Sequence, residues 1–158
     1  MDVEVVVEIP RGSRNKYEID HDSGKIWLDR RLFTAMAYPA DYGFIEGTLG
    51  EDGDPLDVLV LLDEPTFPGC HLMARPVGVF WMRDDAGPDA KVLAVPSNDP
   101  RFAAIRDLPD LPEHLLDEIR HFFEVYKQLE PNKFSEVRDF EGREAAEAEI
   151  AAAFDRAR

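Results

Sequence analysis

Apolar and polar positions alternate from the first residues of the chain. Over residues 2–9, Val3, Val5, Val7 and Ile9 fall on one face and Glu4, Val6 and Glu8 on the other, which predicts a half-buried strand closed by Pro10. Lys16–Asp20 and Lys25–Asp29 alternate in the same way, and Asp22-Ser23-Gly24 between them predicts a hairpin turn. In the first of these strands Lys16 and Glu18 share a face, while Tyr17 and Ile19 take the other. Further strands are expected at Val58–Leu62, Arg75–Met82 and Lys91–Val95. The last third changes period. Pro112 suits a first helical position, and Leu115, Ile119, Phe122, Tyr126 and Leu129 recur at helical spacing. A second helix is expected from about Arg143 to Ala157, with Ile150, Phe154 and Ala157 on its apolar side. Several short strands followed by two helices predict a small barrel or curled sheet capped by helices, in one domain over residues 1–158.

Composition narrows the function classes. A length of 158 residues suits one domain with a sizeable core. No apolar run reaches 18 residues and no basic start leads into an apolar segment, so neither a membrane helix nor a secretory signal is expected. The one cysteine, Cys70, has no internal partner, which points to a reducing, cytoplasmic setting. A net charge of −15 opposes binding to nucleic acid or an anionic membrane, because phosphate backbones are held mainly by Lys and Arg. A small anionic substrate stays open if metal ions reverse the local field.

The chemistry concentrates in turns. Glu51-Asp52-Gly53-Asp54-Pro55-Leu56-Asp57 places four carboxylates within seven residues, immediately before a strand. Two carboxylates about 5 Å apart repel by roughly 3 kcal/mol at an effective dielectric of about 20, so the turn asks for a cation. Hard divalent ions with oxygen ligands suit it best. The spacing is wrong for an EF-hand, which needs Gly where Asp57 stands and Asp or Asn where Leu56 stands. A second acidic turn, Asp84 to Lys91, also contains Gly and Pro and leads into a strand. Glu8 supplies a third carboxylate source. Lys16, Arg30, Lys91 and Lys127 lie near strand or helix ends, accompanied by Tyr38, Tyr42 and Tyr126, and together offer donors for phosphate oxygens. From these residues alone, a divalent-cation or polyphosphate binder without turnover remains a rival to an enzyme.

The motifs together resemble a soluble family I inorganic pyrophosphatase of the compact bacterial type. The signature turn Asp-Gly-Asp-Pro-x-Asp is met by Asp52 to Asp57. Val7-Glu8-Ile9-Pro10, Lys16-Tyr17-Glu18, Asp29-Arg30, Tyr38 to Gly43, Arg75 to Gly78, Asp84 with Asp89 and Lys91, and His121 to Lys127 complete the match. The resemblance implies an α+β fold, a five-stranded OB-like β-barrel with flanking C-terminal helices. It implies hydrolysis of pyrophosphate to two orthophosphates with three or four Mg2+ ions per subunit, Mn2+ or Zn2+ being substitutes. Asp52, Asp57 and Asp89 would hold the first metal, with Asp57 shared by the second. Asp84 and Asp89 would serve a third, and Glu8 a fourth. Asp54 is the preferred general base and Asp89 its competitor. Lys16, Arg30, Tyr42, Tyr126 and Lys127 would grip phosphate, inside a supporting shell of Glu18, Tyr38 and Lys91. The family's compact members assemble as hexamers. His21, His114 and His121 receive no role, although His121 is a candidate for a subunit contact.

Overall fold

A ring of five strands organises the molecule, and the computed structural model describes all residues from Met1 to Arg158. The strands of the ring are β1 (Val3–Ile9), β4 (Asp41–Ile45), β5 (Asp57–Val60), β7 (Gly87–Pro96) and β6 (His71–Asp84). Each pairs with the next in that order, and β6 returns to β1 through the register Val3↔Ala74 to Val6↔His71. Only β5 and β7 run parallel. β8 (Ser135–Gly142) extends the sheet on β6 beyond the ring, and β2 (Asn15–Ile19) and β3 (Ile26–Arg31) form a separate hairpin. The expected five-stranded, OB-like barrel is therefore present, with helices α1 (Glu113–Val125) and α2 (Arg143–Arg156) packed on it.

Both faces of the sheet are covered. One face sets Val3, Val5, Val7, Val58, Val60, Val92 and Ala94 against Ala146, Ile150 and Ala153 of α2. The other sets Leu59, Leu93, Val95, Phe80 and Met82 against Ile119, Phe122, Phe123 and Tyr126 at the end of α1. Two-sided cover explains why β5 and β7 read as continuous apolar runs rather than alternating ones. It also corrects the half-buried reading of β1: Val6, on the supposed polar face, is 4% exposed.

Two strands were not expected. β4 is short and contains Gly43, which faces Val7 in the β1 register. A Cβ at Gly43 would lie 1.9 Å from the Val6 carbonyl oxygen, so the strands meet there only because the side chain is absent. β8 carries Glu136, Arg138, Asp139 and Glu141, and its buried signal shrinks to Val137 and a half-buried Phe140. The helix boundaries shift as well. Pro112 is the residue before α1, Leu129 lies past its end and is exposed, and Ala157 lies past α2 on the surface.

Candidate active site

The register of the barrel places the acidic turns side by side. Asp57 opens β5 opposite Lys91 of β7 and Phe44 of β4, while Asp89 lies opposite Met82 of β6. The turn before β5 is closed by its own backbone: Gly50 N donates to Asp54 O at 2.6 Å, and Gly53 adopts φ +90°. Asp54 N donates to Asp52 Oδ1 at 3.0 Å. A cleft of about 400 Å³ results, lined by Glu8, Asp52, Asp54, Asp57, Asp84 and Asp89 on its acidic side. Lys16, Glu18 and Arg30 enter from the hairpin, Tyr42 and Lys91 from the barrel, and Tyr126 and Lys127 from the end of α1.

Tyr38, expected in the supporting shell, is the one residue of the expected set that does not line the cleft. Tyr38 is 2% exposed and lies behind the wall, its ring 5.5 Å from that of Tyr42 and 4.7 Å from that of Phe122. It can support Tyr42 by packing, but it does not line the space a substrate would use.

Lys91 is the electrostatic centre. Its ammonium is 3% exposed as a residue and donates to Tyr42 Oη at 2.6 Å, Asp89 Oδ2 at 2.8 Å and Asp57 Oδ2 at 2.9 Å. Burial opposes its charge, yet Asp57, Tyr42 and Asp89 hold its pKa well above the usual lysine value. Tyr42 Oη in turn donates to Asp57 Oδ2 at 2.9 Å. Lys127 reaches Asp84 at 3.3 Å, and Lys133 reaches Asp85 at 2.9 Å. No three acidic or histidine side chains converge closely enough to form a ready-made cation cage. The lysines stand among them instead.

The acids remain under-compensated. Burial pushes Glu8 up to about 7, with Asp57 and Glu18 adding to the rise, although Ile19 N donates to its Oε2 at 2.9 Å. Burial likewise raises Asp52 and Asp89, Asp89 despite its bond to Lys91. The cleft wall holds nine Asp and Glu against five Lys and Arg, so it repels a free anion on balance. Hard oxygen donors in this excess fit divalent cations, the ions that such donors bind best.

The sequence profile of inorganic pyrophosphatases matches residues 5–158. The chain belongs to the inorganic pyrophosphatase family. It is 60% identical to the inorganic pyrophosphatase of Streptomyces coelicolor over 156 residues, covering 99% of this chain and 96% of that one. The crystal structure of the inorganic pyrophosphatase from Thermus thermophilus superposes with a TM-score of 0.96 at 49% identity, covering 99% of this chain and 91% of the other. The enzyme structure from Coxiella burnetii gives 0.97 at 46% identity, covering 99% and 95%.

Beside the expected set, this pyrophosphatase-family cleft is lined by Tyr17, His21, Asp85, Glu130 and Lys133. His21 meets Phe44 edge-on at 5.0 Å. Glu130 is 8% exposed and pairs with Arg30 at 3.1 Å, across 100 residues of sequence. It follows the expected helix face in an unpatterned segment, so periodicity carried no signal for it. Asp85 and Lys133 were visible only as charges in turns.

Proposed function

We propose that this protein hydrolyses inorganic pyrophosphate to two orthophosphates and requires magnesium to do so. The observation that carries the reading is one cleft in which excess carboxylates and a set of Lys, Arg and Tyr donors face each other. Bound divalent cations would supply Lewis-acid charge and an acidified water. Asp52, Asp57, Asp84, Asp89 and Glu8 are the residues assigned to hold them, with manganese or zinc as substitutes.

The chain's own groups divide the remaining work. Lys16, Arg30, Tyr42, Tyr126 and Lys127 bind phosphate oxygens and stabilise charge on the leaving phosphate. Asp54 is assigned as general base ahead of Asp89. The Asp89 carboxylate is engaged by Lys91, whereas Asp54 forms no ion pair and bonds here through its backbone alone. A proton acceptor needs a free oxygen facing the attacking water. The test is phosphate release from pyrophosphate with and without magnesium; absence of magnesium-dependent release sinks the reading. A binder without turnover would take up phosphate and release none.

A cytoplasmic homohexamer completes the proposal. Trp27, Leu28 and Phe67 are 58%, 57% and 63% exposed, apolar area that contact with further copies would cover. A monomer-sized particle in light scattering at micromolar concentration would overturn that part.

A further inference from the structure

The hairpin β2–β3 supplies Lys16, Glu18 and Arg30 to the cleft, yet not one of its eleven strand residues is buried. Apolar packing on this hairpin is confined to partly buried side chains such as Tyr17, which lies against the core. The charged side chains are held by a chain of ion pairs. Lys16 reaches Asp29 at 3.3 Å, Asp29 reaches Arg30 at 2.5 Å, and Arg30 reaches Glu130 at 3.1 Å. Glu130 is the end of the chain that belongs to the body of the protein. It is the only member of the four that is nearly buried, its side chain 7% exposed against 24% for Arg30.

The guanidinium is committed through both of its terminal nitrogens. Its NH1 donates to Asp29 and its NH2 to Glu130, while Nε is buried without a partner. A planar fork held at two nitrogens is fixed in orientation, and the second N–H of each terminal nitrogen is left for phosphate oxygens. A carboxylate facing a phosphate site is otherwise a liability, since like charges repel. Its position at a cleft wall makes sense when it is spent on Arg30.

We infer that Glu130 is a positioning residue for Arg30, setting the guanidinium that grips phosphate; this rests on the pyrophosphatase reading above. It acts by geometry and donates nothing to substrate itself.

The test is a double-mutant cycle on the full-length protein, read by pyrophosphate turnover and by calorimetric binding of inorganic phosphate with magnesium. Glu130→Ala should raise KM and weaken phosphate binding about tenfold or more, since small misplacement of a binding group costs up to about 100-fold. Glu130→Gln keeps an acceptor for NH2 and should stay within about threefold of wild type. In an Arg30→Ala background, Glu130→Ala should cost less than about twofold, because the group it positions is gone. Equal cost in both backgrounds, or wild-type phosphate affinity in Glu130→Ala, overturns the inference. If Glu130→Ala does not fold, Glu130→Asp, with its carboxylate withdrawn by one methylene, takes its place in the cycle with the same outcomes. An inactive wild type would instead overturn the pyrophosphatase reading, and the phosphate-binding arm would still decide the role of Glu130.

Discussion

Asp57 Oδ2 accepts from both Lys91 and Tyr42, each at 2.9 Å, so a single oxygen ties the end of the acidic turn to two donors of the barrel wall. Its other oxygen is left for the cleft. Asp57→Asn removes the charge that a shared metal ligand needs, and turnover should fall by at least about 1000-fold while the melting temperature stays within a few degrees. A variant retaining wild-type turnover would show that Asp57 holds no essential ion. Lys91→Met tests the opposite charge. It leaves the half-buried Asp57 and Asp89 without their cation, a change that costs up to about 3–5 kcal/mol when the pair is fully buried. Calorimetric melting should show this loss in chelator, and millimolar magnesium should recover more stability for the variant than for wild type. Equal magnesium response in the two proteins would mean that the lysine and the metal do not share the same carboxylates.

At the scale of elements, α2 begins without a cap of its own. Its preceding residue, Gly142, offers no side chain, and the cap comes from Asp107, whose Oδ1 accepts from Arg143 N at 2.9 Å and from Leu108 N at 2.8 Å. A Cβ on residue 142 would approach that oxygen to 2.7 Å, so the glycine makes room for a distant cap. The backbone bonds from Arg143 and Leu108 hold the Asp107 carboxyl below the usual carboxylate range. A depressed value means stabilisation that is present above the unfolded-state pKa and lost as pH falls through the folded one. Asp107→Ala should lower the melting temperature by about 2–4 °C at pH 7. The difference from wild type should shrink as pH falls from the ordinary aspartate value of about 3.9 through the lower folded-state value. A difference that persists at low pH would assign the effect to packing.

The same scale shows what sequence could convey. Strand β1 and the helix spacing Ile119, Phe122, Tyr126 were legible because burial writes itself as periodicity, and β5 and β7 because burial on both faces writes itself as an unbroken apolar run. β4 was hidden by Gly43, where a close backbone crossing erased a side chain. β8 was hidden because charged residues cover its outward positions. In the cleft, motif residues were legible as types in order along the chain. Partners such as Glu130 were not, because a pair formed across 100 residues leaves no local pattern. Tyr38, expected in the supporting shell, backs the cleft beside Tyr42, a distinction that a tyrosine in a motif does not display by itself.

The whole molecule carries a net charge of −15, and its working cations must come from solution if the proposed reaction is right. Calcium should occupy the same oxygen ligands as magnesium, yet its larger radius and looser geometry place reacting groups poorly. Pyrophosphate turnover with calcium alone should stay below about 1% of the magnesium rate, and added calcium should inhibit competitively with magnesium. Equal rates with the two ions would contradict the assignment.

The return of β6 to β1 has a consequence in time. β1 ends at Ile9 and its second neighbour does not begin until His71, with β7, ending at Pro96, completing the circuit. During synthesis the first strand must wait, one edge unpaired, until most of the barrel has left the ribosome. Closing a ring from contacts so distant in sequence is slow, on the order of milliseconds to seconds for domains rich in such pairings. The acidic turn at Asp52–Asp57 also emerges well before Lys91, the cation that pairs with Asp57. Nascent chains therefore pass through a stage in which the acidic turn lacks its lysine partner, and the last two strands of the ring, β6 and β7, both shut the barrel and bring that partner.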